Sequence, residues 1–137
     1  MTILSHAWTL PADIDSVAAA ELQELERRVA TYRGNRPPLD VAGKTIIVVD
    51  DGLATGAMMR AALIALRRSG PARLVVAVPV GAPDSCRRIE DDADEVVCLA
   101  RPDPFQAVGL WYRDFPQTSD DEVRDLLDKA ESFGRRA

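Results

Sequence analysis

Histidine and cysteine are scarce in this chain of 137 residues. The one histidine, His6, leaves little for a zinc site or for a histidine-based catalytic triad. The two cysteines, Cys86 and Cys98, form neither a disulfide framework nor a zinc-ligand pattern, and we expect buried thiols in a reducing compartment. A metal ion held by carboxylates remains compatible with this composition.

The chain also lacks an excess of positive charge and a long apolar run. Acidic side chains number 22 and basic ones 17, for a formal charge of -5, which disfavours sequence-independent binding to nucleic acid or to an anionic membrane. Apolar stretches such as 74–80 are far shorter than the ~20 residues of a transmembrane helix, and the first residues do not resemble a signal peptide. We therefore expect a soluble, cytoplasmic protein.

What the chain does contain is a repeated α/β pattern. The β-branched run 46–49 and the apolar run 74–78 predict buried parallel strands, and 56–68 predicts the crossover helix between them. A helix over 83–92 and a short strand over 95–99 extend the pattern. The predicted fold class is therefore α/β with a mostly parallel sheet.

Two further segments lie outside this repeat. Apolar residues recur at spacings of three and four across 15–31, which predicts an amphipathic helix capped by Asp13 or Asp15 and ended by Gly34. The aromatic-rich segment 105–115 is bounded by prolines and is a candidate for a last strand.

The length favours a single domain with three parts. We expect a helical N-terminal arm over 1–34, an α/β core over 44–116 and a C-terminal helix over 117–137. Ser119 and Glu122 have the spacing of a capping box, which predicts where the last helix begins.

Chemically informative residues follow the first predicted strand. Asp50 and Asp51 come directly after it, and small residues then lead into the predicted helix. This linking run is Gly52, Leu53, Ala54, Thr55, Gly56, Ala57 and Met58. Adjacent carboxylates can accept hydrogen bonds from vicinal ribose hydroxyls, while the N–H groups of 54–58 and the Thr55 hydroxyl can hold a phosphate at the helix N-terminus. Because open α/β sheets bind ligands at this strand edge, the pattern predicts a cradle for a sugar phosphate.

One stretch resembles the phosphoribosyl-diphosphate signature of the type I phosphoribosyltransferases, as found in bacterial phosphoribosyltransferase-like proteins: Val48-Val49-Asp50-Asp51-Gly52-Leu53-Ala54-Thr55-Gly56. The likeness extends from about 32–34 through 105–115. It implies a three-layer, Rossmann-like fold with Asp50 and Asp51 on the 2- and 3-hydroxyls of the ribose and 54–58 around its 5-phosphate. It also implies transfer of phosphoribose from phosphoribosyl diphosphate to a nitrogen base, with Mg2+ arriving on the diphosphate.

Two features depart from the family pattern. Met58 stands where the family usually places a threonine, which removes a hydroxyl donor to the phosphate. Relatives of this kind usually begin with an early strand and a diphosphate-binding loop, and the sequence shows no counterpart before the helix at Val17. We therefore expect missing early strands, an unpaired edge at the 46–49 strand, and a homo-oligomer that light scattering at micromolar concentration would detect.

The aromatic segment resembles the base-contacting region of purine-type family members. That resemblance implies stacking of a base on Phe105, Trp111 or Tyr112, with Asp114 accepting a hydrogen bond from an exocyclic amine. Packing of the same rings in the core is the alternative that the residues leave open.

Other interpretations of the acidic pair also stay open. Phosphoacceptor receiver domains carry such a pair, but they need a further aspartate after a later strand, where this chain has Gly81. The pair could instead cap the next helix, and the domain could bind a nucleotide, a phosphoribosyl ligand or a protein partner without catalysis.

Charged residues elsewhere carry weaker signals. Arg33 and Arg36 are candidates for contacts with a diphosphate by charge and nearness in sequence. The acidic run 90–95 is interpreted as a solvated turn rather than a calcium loop, because it has no glycine at the required bend.

Overall fold

The computed structural model describes residues 11–34 and 36–134 of the chain. They divide into an α/β unit, Pro38–Pro116, and a helical unit formed by the described parts of Met1–Pro37 and Gln117–Ala137. In chain order the elements are α1 (Pro11–Arg33), β1 (Thr45–Val49), α2 (Ala57–Arg68), β2 (Arg73–Val80), α3 (Pro83–Ile89), β3 (Glu95–Ala100), a 3-10 helix (Val108–Trp111) and α4 (Asp120–Gly134).

Helix α1 starts earlier than its apolar pattern indicates. The helix already includes Pro11, the first described residue, so the predicted caps Asp13 and Asp15 lie inside the helix and that prediction is wrong. The predicted end is confirmed, because Gly34 follows the last helical residue with a φ of +52°.

Polar contacts join α1 and α4 within the helical unit. Arg27 donates to Asp120 at 2.9 Å, and the Tyr32 hydroxyl donates to the other oxygen of the same carboxylate at 2.7 Å. The predicted capping box is confirmed, since Ser119 N–H donates to Glu122 and the Glu122 N–H donates back to the Ser119 hydroxyl.

No helix in the described residues has the length and apolar composition needed to cross a membrane.

The α/β unit contains a parallel sheet in the order β1-β2-β3, which confirms the predicted fold class. The connections β1–α2–β2 and β2–α3–β3 each add the next strand on the same side of the preceding one. Because such connections are right-handed, both helices lie on the same face of the sheet. The core accordingly lies between that face and the helices α2 and α3, and it consists of Leu53, Met59, Leu63, Leu74, Val76, Val78, Cys86 and Ile89.

Strand β1 differs from its sequence expectation in its degree of burial. Its β-branched run predicted cover on both faces, but Ile47 and Val49 are exposed whereas Ile46 and Val48 are half-buried against the core. Among the described residues β1 pairs with β2 alone, so its other edge is unpaired.

The aromatic segment contains no strand, so the predicted last strand is wrong. A 3-10 helix spans Val108–Trp111 instead. Two aromatic residues of the segment contact each other. The Trp111 indole N–H donates to the Phe105 carbonyl at 3.0 Å, and the two rings stack with centroids 6.4 Å apart. A Cβ on Gly109 would approach the Phe115 ring to 2.9 Å, so this turn also depends on glycine.

The acidic run after α3 forms a turn, as predicted, but four of its five carboxylates form ion pairs rather than being merely solvated. Helix α3 ends at Ile89, before the predicted residue 92. The ion pairs of the run are Glu90 with Arg101, Asp92 with Arg60, Asp94 with Arg67 and Glu95 with Arg73. Asp94 also accepts the Leu74 N–H at 2.6 Å. These pairs tie the turn to α2 and β2.

Candidate functional site

The acidic pair and the residues after it lie at the carboxyl end of β1. We call residues 52–58 the cradle loop. Leu53 in this loop forms an isolated parallel bridge with Gly81, so the loop runs beside the end of β2. A cavity of about 160 Å3 opens here, and it is lined by Asp50, the run 52–59 and Val108. The structure therefore gathers Asp50 and the whole cradle loop around one cavity.

The two carboxylates of the pair have different surroundings. Asp50 lines the cavity, and its Oδ1 accepts the Asp51 N–H at 2.9 Å. Burial, followed by the negative charge of Asp50, raises the pKa of the Asp51 carboxyl above its ordinary value. The Asp51 carbonyl accepts a hydrogen bond from the Tyr112 hydroxyl at 2.6 Å.

Replacing Asp50 by asparagine is expected to lower the pKa of Asp51 partway toward the ordinary value, because the charge is removed while the burial remains. A 13C titration of the Asp51 carboxyl in the two proteins measures this shift, and an unchanged or higher pKa would contradict it. Because the folded-state pKa is raised, the Asp51 contribution to stability is fully present below the unfolded-state pKa and is lost as the pH rises through the folded-state pKa.

Most amides of the cradle loop donate no hydrogen bond within the described chain. The Leu53 N–H donates to the Val80 carbonyl at 3.0 Å, and the Ala57 N–H donates to the Thr55 hydroxyl oxygen at 3.3 Å. In the cradle loop, the N–H groups of Ala54, Thr55, Gly56 and Met58 have no acceptor among the described residues. Successive unpaired amides at a helix N-terminus form an anion-binding concavity.

Two glycines give the cradle loop its shape. Gly56, which precedes α2, has a φ of +75°, a left-handed conformation that costs other residues about 1–2 kcal/mol. A Cβ on Gly52 would lie 2.8 Å from the Val108 side chain and 3.1 Å from the Val80 carbonyl oxygen. Glycine at residue 52 therefore allows the 3-10 helix to approach the loop closely.

The structure separates the predicted base-contacting residues into different surroundings. Phe105 is buried, whereas Trp111 is 47% exposed and Asp114 is exposed. Tyr112 reaches the acidic pair through its hydroxyl, and its ring lies 5.0 Å from that of Phe115. Val108 also lies in the cavity wall and was not predicted, since a lone valine in an irregular segment has no distinguishing sequence pattern.

The basic candidates from the sequence have partners in the helical unit. Arg33 donates to the Pro37 carbonyl at 2.6 Å. Arg36 pairs with Asp128 and, at 2.7 Å, with Glu131. Their proposed contact with a diphosphate stays a prediction.

Comparison with known proteins places these features in a family. The model of the phosphoribosyl transferase domain matches residues 10–113. A Mycobacterium tuberculosis protein named "Putative phosphoribosyl transferase" is 47% identical over 119 residues, which cover 87% of this chain and 27% of that protein. The bifunctional protein PyrR of Chloroflexus aurantiacus is 52% identical over 42 residues, which cover 30% of this chain and 23% of the PyrR chain.

A crystal structure of a Thermus thermophilus protein has the same fold. The two share 41% sequence identity and a TM-score of 0.75 over 86% of this chain and 56% of the Thermus chain. The chain thus spans little over half of that protein and about a quarter of the mycobacterial relative. The family match, the mycobacterial relative and the Thermus structure agree with the resemblance of residues 48–56 to the phosphoribosyltransferase signature. This chain belongs to the phosphoribosyltransferase family.

Proposed function

We propose that this domain binds phosphoribosyl diphosphate at the carboxyl end of β1 and transfers its phosphoribosyl group to a nitrogen base. The observation that carries the proposal is the cavity shared by Asp50 and the unpaired amides of the cradle loop. Acceptors for ribose hydroxyls and donors for a phosphate occur there together, as a ribose 5-phosphate group requires.

In this mechanism the chain acts mainly through positioning and charge. The carboxylates of Asp50 and Asp51 accept hydrogen bonds from the ribose hydroxyls, and the amides of 54–58 hold the 5-phosphate. Positive charge develops on the ribose in an oxocarbenium-like transition state, and the two carboxylates stabilise it electrostatically. A sugar fixed at both ends presents its reacting carbon to the base without further ordering.

A magnesium ion fits this site as a companion of the diphosphate. The described residues contain no group of three or more histidine, cysteine, aspartate or glutamate side chains that could hold a metal. The acidic pair at 50–51 suits Mg2+, which keeps several waters and commonly binds through one or two carboxylates plus phosphate oxygens. When bound, the ion would neutralise charge on the leaving diphosphate.

The acceptor base is proposed to bind beside the aromatic segment. Trp111 offers an exposed ring for stacking and Asp114 an exposed carboxylate for an exocyclic amine. Phe105 supports the Trp111 ring from the buried side. Tyr112 anchors the main chain of the acidic pair through its hydroxyl.

Calorimetric titration with phosphoribosyl diphosphate tests the proposal. We expect binding that is tighter in the presence of Mg2+, and release of diphosphate when a nitrogen base that the domain accepts is added. A panel of purine and pyrimidine bases identifies the acceptor. Absence of binding with and without Mg2+ would contradict the proposal, whereas binding without diphosphate release would favour the non-catalytic alternative.

A further inference from the structure

Among the described residues, Ser85 has the one polar side chain that is buried. It lies in α3 beside the cradle loop. Its exposure is 2%, and its hydroxyl donates to the Ala54 carbonyl over 2.5 Å. A buried hydroxyl is normally hydrogen-bonded. Here the acceptor, Ala54, belongs to the wall of the proposed ligand cavity. The contact therefore links α3 to the main chain that would hold the phosphate.

This contact fixes the direction of an amide. In a trans peptide the carbonyl and the next N–H point in opposite directions, so holding the Ala54 carbonyl toward α3 turns the Thr55 N–H away from it. The preceding peptide is held in the same way, because the Ala82 N–H donates to the Leu53 carbonyl at 2.8 Å. The N–H groups of Ala54 and Thr55 thus stay clear of α3 and have no acceptor in the described chain.

Within the described chain, the hydrogen bond from Ser85 is the one hydrogen bond to the Ala54–Thr55 peptide. Gly56 follows immediately and is the residue type with the widest choice of backbone conformations. Arg88 donates to the Ser85 oxygen at 3.4 Å, which leaves the hydroxyl hydrogen for the Ala54 carbonyl. Loss of this hydroxyl would leave that carbonyl without its hydrogen-bond donor and free to rotate with its peptide.

We propose that Ser85 is a positioning residue for phosphate binding: its hydroxyl holds the Ala54–Thr55 peptide so that the Thr55 N–H faces the 5-phosphate of the ligand. This inference rests on the proposed function. Ser85 does not itself contact the ligand, and its effect passes through the main chain of the cradle loop. Its replacement therefore weakens binding without removing a group from the cavity.

The test compares Ser85→Ala, Ser85→Thr and Cys86→Ala with the parent protein. Phosphoribosyl diphosphate with Mg2+ is titrated by calorimetry, and the Thr55 amide is followed by 15N NMR. We expect about five- to tenfold weaker binding for Ser85→Ala, a smaller Thr55 amide shift on titration, and recovery of both in Ser85→Thr, which retains a hydroxyl. Cys86→Ala removes one buried atom from the adjacent residue, so it is expected to lower the unfolding temperature while binding stays unchanged.

The outcomes separate this inference from the proposed function. Failure of the parent protein to bind contradicts the proposed function itself. Normal binding and a normal Thr55 shift in folded Ser85→Ala would overturn the role of Ser85. The 13C shift of the Ala54 carbonyl in ligand-free protein reports the hydrogen bond independently, and an identical shift in the parent and Ser85→Ala would also overturn it.

Discussion

Changing both Asp50 and Asp51 to asparagine is expected to weaken the binding of phosphoribosyl diphosphate by at least about 100-fold. Hydrogen bonds to charged groups contribute about 1.5–3 kcal/mol each, and each 1.4 kcal/mol is a factor of ten in affinity. Asparagine keeps the size of the side chain and one acceptor oxygen but removes the charge. The loss therefore reports the carboxylates rather than the shape of the cavity, and calorimetry at saturating Mg2+ measures it.

The matched control carries two asparagines away from the acidic pair and from the cavity that Asp50 lines. Asp84 and Asp91 are exposed and do not line it, so Asp84→Asn with Asp91→Asn changes the net charge equally. We expect this control to bind within about twofold of the parent, because long-range charge effects are screened at physiological salt. Equal losses in the two double variants would reject a local role for the acidic pair.

Replacing Leu63 by alanine is expected to lower the free energy of unfolding by about 3 kcal/mol. This side chain is 0% exposed in the core between α2 and β2, and truncation of a buried leucine loses transfer free energy and leaves a cavity. Ile64 is the matched control, since it is the next residue of α2 and is 43% exposed. Ile64→Ala is expected to cost under about 1 kcal/mol.

Urea denaturation followed by circular dichroism compares the two variants with the parent. A similar loss in both would contradict the placement of Leu63 in the core and of Ile64 outside it. The result also bears on the site, because α2 begins at the end of the cradle loop and is anchored by this core.

The first βαβ unit was predictable because its signals are local. The β-branched run of β1, the glycines around α2 and the apolar run of β2 each act within a few residues. Asp50 and Asp51 could be located by sequence because they follow a strand whose end is fixed by that same run. The capping box at Ser119 was predictable for the same reason, since its two partners are one helical turn apart.

Predictions failed where the side-chain partners of a segment have no regular spacing in the sequence. The aromatic segment has the composition of a strand, but its rings and indole N–H find partners within the segment, and it forms a 3-10 helix. The acidic run was expected to be solvated, yet arginines from α2 and β2 reach it. Neither set of partners has a regular spacing in the sequence.

The sequence by itself determined the order of strands and helices from β1 to β3, the acidic pair and the glycine that precedes α2, because short-range sterics and hydrophobic periodicity specify them. Tertiary structure alone decided what holds the cradle loop and the acidic pair. Ser85 meets Ala54 across 31 positions and Tyr112 meets Asp51 across 61. Contacts over such separations exist only after the sheet has assembled, since the parallel register brings the ends of β1 and β2 together.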